Sequence, residues 1–180
     1  VAMAQTKGQV ILVDCDMRRA AQHNIFGIEN QAGLTDLLVG TADLKSVIKD
    51  TKVPNLRLIC CGSAPSNPIE LLKSRRLDQI LGELKADCDV LLCDCTPVLP
   101  VADALILASK LDGVLLLADL NRTPREIIRQ AQEQLSKLGV PLLGLICNRM
   151  GTARYSYYYN HPDRRLKARL DRETPIISRV

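Results

Sequence analysis

The sequence predicts an α/β fold built on a mostly parallel sheet flanked by helices, and two observations carry that prediction. Five short runs rich in Val, Ile, Leu and Cys punctuate the chain: Val10–Val13, Leu56–Cys61, Val90–Cys93, Val114–Ala118 and Leu142–Cys147. Each is apolar throughout rather than alternating, as strands are when both faces of a parallel sheet are covered. Between the runs lie stretches with helical spacing, and alternation of the two kinds of element implies right-handed crossovers within one layered domain.

Taken in order, Val10–Val13 is the first strand and closes on Asp14. After Leu56–Cys61, the stretch Pro68–Leu84 reads as one helix carrying Ile69, Leu72, Leu77, Ile80, Leu81 and Leu84 towards a core. Val90–Cys93 closes on Asp94. Pro124–Leu138 reads as a helix, with Thr123 as N-cap candidate, Pro in the first turn and Gly139 at the stop. The last strand, Leu142–Cys147, ends at Asn148. No repeat or linker divides this unit, so residues 1–150 read as the domain and 151–180 as a tail.

Composition narrows the function classes. A chain of 180 residues can bury one sizeable core. The charge of +4 is concentrated near the end: residues 160–180 hold six Arg/Lys against three Asp/Glu, leaving the preceding 159 residues at only +1. The body therefore has no electrostatic footprint for nucleic acid. The basic stretch after 160, with Arg164, Arg165, Lys167 and Arg169, suits an anionic partner, but an exposed solvated helix such as Asp163–Asp171 explains it equally well. Seven cysteines include no C-x-x-C pair, and six of them (Cys60, Cys61, Cys88, Cys93, Cys95 and Cys147) lie in or beside apolar runs. They read as small buried hydrophobes in a reducing compartment, not as disulfides or zinc ligands. His23 and His161 have no ligand-like neighbours in sequence. No apolar run reaches the roughly 18 residues of a membrane helix, and no signal peptide is recognisable.

Ligands of parallel α/β sheets bind at the C-terminal strand ends, and two strands here end in carboxylates. In Asp14-Cys15-Asp16, residues two apart share a face, so both carboxylates can point together while Cys15 turns into packing. Cys93 and Cys95 likewise oppose Asp94. An apolar strand ending in Asp suits a magnesium ion held against nucleotide phosphates, because a hard cation takes carboxylate and water oxygens. A helix N-cap or turn is the competing reading, above all for Asp16. At the other end of the chain, all four tyrosines, Tyr155, Tyr157, Tyr158 and Tyr159, crowd into five residues, whereas the first 154 hold one aromatic residue, Phe26. Such a cluster is a set of phosphate acceptors, an adhesive aromatic patch, or a chance of composition.

These motifs resemble the bacterial tyrosine kinase (BY-kinase) family, the cytoplasmic autokinase domains of capsular and exopolysaccharide chain-length regulators, within the MinD/ParA-like group of P-loop NTPases. Ile11 to Arg19, with its D-x-D and following Arg18, resembles the family's second Walker motif. Gly33-Leu34 with Leu37-Leu38 resembles its next short helix. The segment from Gly62 to Leu72 is close to its long G-x-x-P-x-N-P-x-E-L-L motif, and Asp94 to Val98 with Asp103-Ala104 resembles Walker B. Gly144 to Asn148 is similar to the strand whose terminal Asn lies near adenine in related ATPases. The tyrosine cluster stands where the family carries its autophosphorylation tail.

The resemblance implies ATP and Mg2+ as cofactors, with Asp94 and Asp16 on the ion. It implies Asp14 and Asp16 beside the incoming tyrosine, Arg18 and Asn148 on the nucleotide, and the four tyrosines as acceptors. It further implies a homo-oligomeric ring exchanging tails, and a membrane-spanning chain-length regulator, fused or separate, at the inner face of the plasma membrane. One departure stands out. None of the ten glycines is followed by lysine, so the P-loop G-x-x-x-x-G-K-[ST] is absent. Val1 to Gln5 reads like the end of the helix after that loop, so the expectation is an N-terminally truncated domain beginning about 20–30 residues late. The rival readings are a MinD/ParA-type ATPase switch and a non-catalytic interaction module.

Overall fold

A computed structural model describes residues 1–6 and 8–149. In chain order its elements are α1 (Ala2–Thr6), β1 (Val10–Asp14), α2 (Gln22–Phe26), α3 (Leu34–Val39), α4 (Leu44–Val47), β2 (Ile48–Asp50) and β3 (Leu56–Ile59). Then follow α5 (Pro68–Lys73), α6 (Arg75–Ala86), β4 (Val90–Asp94), α7 (Asp103–Ala108), β5 (Val114–Asp119), α8 (Arg125–Ser136) and β6 (Leu142–Asn148). All five apolar runs form strands, and the carboxylate or amide at the end of β1, β4 and β6 is the last residue of its strand.

Four strands form one sheet in the order β2-β3-β1-β4, and β5 pairs with β6 in a second. β1 is parallel to both β3 and β4. β2 runs antiparallel on the outer edge of β3. It is a three-residue strand, Ile48-Lys49-Asp50, with no apolar run to announce it.

Period two sorts the side chains of the larger sheet onto two faces. Ile11, Val13 and Cys15 of the first strand segment join Ile59, Cys61, Leu91, Cys93 and Cys95 in the main core, closed by Leu34, Leu37, Leu72, Leu77, Ile80 and Leu84 from the helices. Val10, Leu56 and the half-buried Leu12, Val90 and Leu92 face the other way, under Met3, Ala4 and Phe26. Asp14 and Asp94 fall on this second, more thinly covered face, two residues beyond Leu12 and Leu92. The face a carboxylate occupies is thus set by the same alternation that buries its neighbours.

The expected helix Pro68–Leu84 is two helices. At Ser74 the backbone turns extended (ψ 146°), its hydroxyl accepts from the Leu77 N–H, and a new helix begins at Arg75. Serine is a strong N-cap, and that local bond breaks a continuous apolar pattern; of the six residues expected to face the core, Leu72, Leu77, Ile80, Leu81 and Leu84 are buried and Ile69 is half-buried. α8 has Pro124, not Thr123, at its N-cap, with no side-chain cap.

The sheet is also divided. β4 and β5 each have one edge with no hydrogen-bonded strand among the described residues. On one face of β5–β6, Leu116 packs with Ala131 and Leu135 of α8, and Ala118 is buried as well. On the other, Leu117 and its register partner Ile146 are 63% and 47% exposed. The expected single sheet is interrupted at the boundary beside the Asp94 strand.

Candidate active site

Parallel pairing of β1 with β4 sets Asp14 directly opposite Asp94. The ladder continues one residue further, with the Cys15 N–H donating to the Asp94 carbonyl at 2.7 Å. Beyond it the chain folds back over its own carboxylates. Asp14 Oδ2 accepts from the N–H groups of Ala21 and Gln22, both at 3.0 Å, and Oδ1 accepts from the Asp16 N–H at 3.2 Å. Asp14 is fully buried, so its charge is met by three backbone donors rather than by water. Asp16 Oδ1 accepts from the N–H groups of Arg18 (3.1 Å) and Arg19 (2.9 Å). This is the Asx turn that Asp favours locally, not a helix cap. Its Oδ2 accepts no hydrogen bond among the described residues.

Asp94 is half-buried, and its Oδ2 accepts from Gln22 Nε2 at 2.6 Å. Burial pushes its carboxyl above the ordinary range; the Gln22 amide pulls it back, and the charges of Asp14 and Asp16 push it up again. The strand register and the Asp16 N–H bond to Asp14 bring all three carboxylate-bearing residues to one strand edge. The Thr96 hydroxyl, two residues on, is buried and has no hydrogen-bond partner among the described residues. A buried hydroxyl without a partner is unusual, and this one lies in the segment that leaves the Asp94 strand end.

The family model described as an AAA domain matches residues 1–137. The putative tyrosine-protein kinase CapB of Staphylococcus aureus is 32% identical over 159 residues, covering 88% of this chain and 70% of CapB. The solved kinase domain of the Escherichia coli tyrosine kinase ETK superposes with a TM-score of 0.77 at 31% identity, over 81% of this chain and 57% of that one. The chain belongs to the bacterial tyrosine kinase family. It spans only 21% of longer members such as the putative tyrosine-protein kinase EpsB of Ralstonia solanacearum, to which it is 36% identical. The septum site-determining protein MinD of Pyrococcus horikoshii, solved with Mg-ADP, shares the fold at a TM-score of 0.66 and 23% identity.

A BY-kinase fold implies Mg2+, and the residues present fit it. Asp16 and Asp94 offer hard carboxylate oxygens at one strand edge. Among the described residues no group of three or more His, Cys, Asp or Glu side chains is placed to hold a metal. One or two carboxylates, completed by water and phosphate, is the way Mg2+ is ordinarily held beside nucleotides.

Not every expected residue lies in this cluster. Arg18, expected on the nucleotide, forks onto Asp103 at the start of α7, with Nε to Oδ2 at 2.8 Å and Nη2 to Oδ1 at 3.0 Å. Asp103 is buried, and the planar guanidinium satisfies both its oxygens. This pair ties the carboxylate loop to the segment after Asp94. Asn148 ends β6 opposite Asp119, exposed, with its Oδ1 accepting from the Arg149 N–H at 2.8 Å. It sits at a C-terminal strand edge, as the carboxylates do, but on the second sheet. Tyr155, Tyr157, Tyr158 and Tyr159, the boundary at 150/151 and the basic stretch lie outside the described residues.

Six of the seven cysteines are buried or half-buried packing groups, but Cys147, expected among the buried ones, is exposed on the uncovered strand β6. Cys15 is held well above the usual thiol range by a hydrogen bond with Cys93 and by burial, and burial beside the Asp94 charge raises Cys95 to about 12. Such thiols stay protonated and unreactive. Sequence reasoning missed Gln22 altogether, since a glutamine 72 residues from Asp94 carries no pattern. It also missed the part played by Asp36. That carboxylate accepts from the N–H groups of Gly33 (2.9 Å) and Ser63 (3.2 Å) and from the Ser63 hydroxyl (2.9 Å), locking α3 to the Gly62–Leu72 motif. A side chain at Gly33 would collide with the Cys60 carbonyl, which explains glycine there. The locked loop borders an open cavity of about 390 Å3, lined by Pro65, Asn67, Glu70 and Leu71 among others.

Proposed function

We propose that this chain is the kinase portion of a protein-tyrosine autokinase that moves the ATP γ-phosphate onto Tyr155, Tyr157, Tyr158 and Tyr159 of a neighbouring subunit and regulates capsular or exopolysaccharide synthesis and export. The observation that carries this reading is the pair Asp14–Asp94, in register at the C-terminal edge of a parallel sheet with Asp16 beside them, in a chain related to named tyrosine kinases.

Phosphoryl transfer asks the protein mainly to position groups and neutralise charge. A bound Mg2+ would supply the positive charge that offsets the phosphate oxygens. Asp94 would hold that ion directly, and Asp16 would hold it through one of its water ligands. Asp14 contributes differently. With both oxygens taken by backbone N–H groups, it shapes the loop that presents Asp16. The Asp16 oxygen left without a partner is then the acceptor for the tyrosine proton, which a phenol of pKa near 10 does not surrender to water unaided. Asn148 would border the base, while Arg18 orders the loop through Asp103. Several phosphotyrosines, each adding about −1.5 to −2 charge, would repel one another and loosen a ring of subunits. Relatives in which this region is most of the protein, such as CapB, and relatives in which it is about a fifth, such as EpsB, support a membrane-spanning regulator that is separate in some members and fused in others. The domain would then work at the inner face of the plasma membrane.

The 180 residues contain no G-K-[ST] phosphate cradle. On their own they are expected to bind ATP weakly and not to phosphorylate themselves, which favours an interaction role for this stretch in isolation. Joined to a P-loop segment, they should incorporate phosphate on tyrosine. Replacing all four tyrosines by Phe should abolish that signal and hold the protein in its larger assembly. Phosphotyrosine and oligomeric state unchanged by the four replacements would sink the proposal.

A further inference from the structure

Gln22 is the first residue of α2 and, among the described residues, the one whose hydrogen bonds reach both strand-end carboxylates: its N–H reaches Asp14 Oδ2 at 3.0 Å and its Nε2 reaches Asp94 Oδ2 at 2.6 Å. We propose that Gln22 is a positioning residue for the divalent cation, its side-chain amide holding one oxygen of Asp94 so that the other stays aimed at the ion. The proposal rests on the reading of Asp94 as an ion ligand. A carboxylate at a strand end can rotate about two bonds, and an ion that takes only one or two protein oxygens gains little help in choosing among those rotamers. A donor on the distal oxygen removes that freedom before the ion arrives. Ligating carboxylates are commonly oriented by such a hydrogen bond, and its loss costs roughly 10–100-fold in metal affinity. The neighbouring groups leave this role to Gln22. Asp14 is saturated by backbone donors, Arg18 is committed to Asp103, and among the described residues no other side chain donates to Asp94.

Gln22→Met tests this, because methionine keeps the length of the side chain and the backbone bond to Asp14 while removing the amide. Mn2+ is the probe, added without nucleotide to the full 180-residue chain. Its binding is read from paramagnetic broadening of the backbone amides of Asp94 and Cys95, with thermal unfolding measured in parallel. The expected result is binding weakened about tenfold or more in Gln22→Met, at an unfolding temperature close to the parent's. Gln22→Glu, which replaces the donor by a fourth carboxylate, should break the link to Asp94 at neutral pH and scatter the ion over an altered set of broadened amides. Parent-like Mn2+ affinity in Gln22→Met would overturn the positioning role and leave the ion site standing. Absence of localised broadening near Asp94 in the parent protein would overturn both.

Discussion

Replacing Asp14 by Ala should cost the fold far more than the surface appearance of a strand-end carboxylate suggests. Two N–H groups, of Ala21 and Gln22, lie at 3.0 Å from Oδ2, and a third, of Asp16, lies at 3.2 Å from Oδ1. Hydrogen bonds to an ionised acceptor are each worth about 1.5–3 kcal/mol, and a buried donor left bare costs about 1–3 kcal/mol. Asp14 itself is fully buried, but its donors are only partly so, and water entering the gap would satisfy some of them. The net loss should be about 3 kcal/mol, a large share of the roughly 5–15 kcal/mol that holds a domain together. Asp14→Asn keeps one acceptor oxygen and turns an amide towards the remaining donor, so about 1–2 kcal/mol is expected. The control is Asp16→Ala. Its two backbone bonds lie in an exposed turn, and its loss should cost under about 1 kcal/mol. Urea unfolding of the three variants, compared at a common slope, measures these differences. If Asp14→Ala lies within about 0.5 kcal/mol of the parent, or below Asp16→Ala, the idea that Asp14 anchors the loop is wrong.

Two other outcomes follow from the charges. Burial, with Asp14 and Asp16 nearby, raises the Asp94 carboxyl, so the fold favours its neutral form. The stabilising contribution is therefore present at acid pH and lost as pH rises through the raised folded value. Asp94→Asn should unfold at a higher temperature than the parent at pH 7, with the gap closing on acidification, while localised Mn2+ binding disappears; a lower unfolding temperature would contradict this. Asp36 has the opposite sign: burial opposes its charge, but the Gly33 and Ser63 hydrogen bonds more than compensate and hold it below the ordinary carboxylate range. Its contribution is present above about pH 4 and lost as pH falls through the folded value. Urea titrations below pH 5 should show a shallower acid decline for Asp36→Asn, and parallel curves would refute the assignment.

Much of this site was legible because its chemistry is written in short-range pattern. A run such as Val10–Val13, followed by Asp-Cys-Asp, specifies a buried strand, a polar end and the alternation that turns Cys15 away from Asp14. The same holds for Val90–Asp94. The helix after the Gly62 motif was legible in its buried residues but not in its break, because an apolar stripe continues across Ser74 while the chain itself bends there. β2 was illegible for a related reason: a three-residue edge strand needs only a partner's free edge, not a hydrophobic signal of its own.

Arg18 and Gln22 mark the limit. A basic residue after D-x-D suits a phosphate as well as it suits Asp103, and only the approach of α7 brings Asp103 within its reach. Gln22 acquires its role from a strand 72 residues away. By itself the sequence determined the α/β class, five of the six strands and the sheet edge at which the carboxylates emerge, since each depends on alternation and spacing along the chain, while its motifs carried the resemblance to the family. The tertiary structure alone decided that Asp14 is spent on the backbone, that Arg18 closes on Asp103, and that Gln22 holds Asp94. Hydrogen bonds of that kind depend on which strand ends and helix starts meet in space, and no local pattern encodes that.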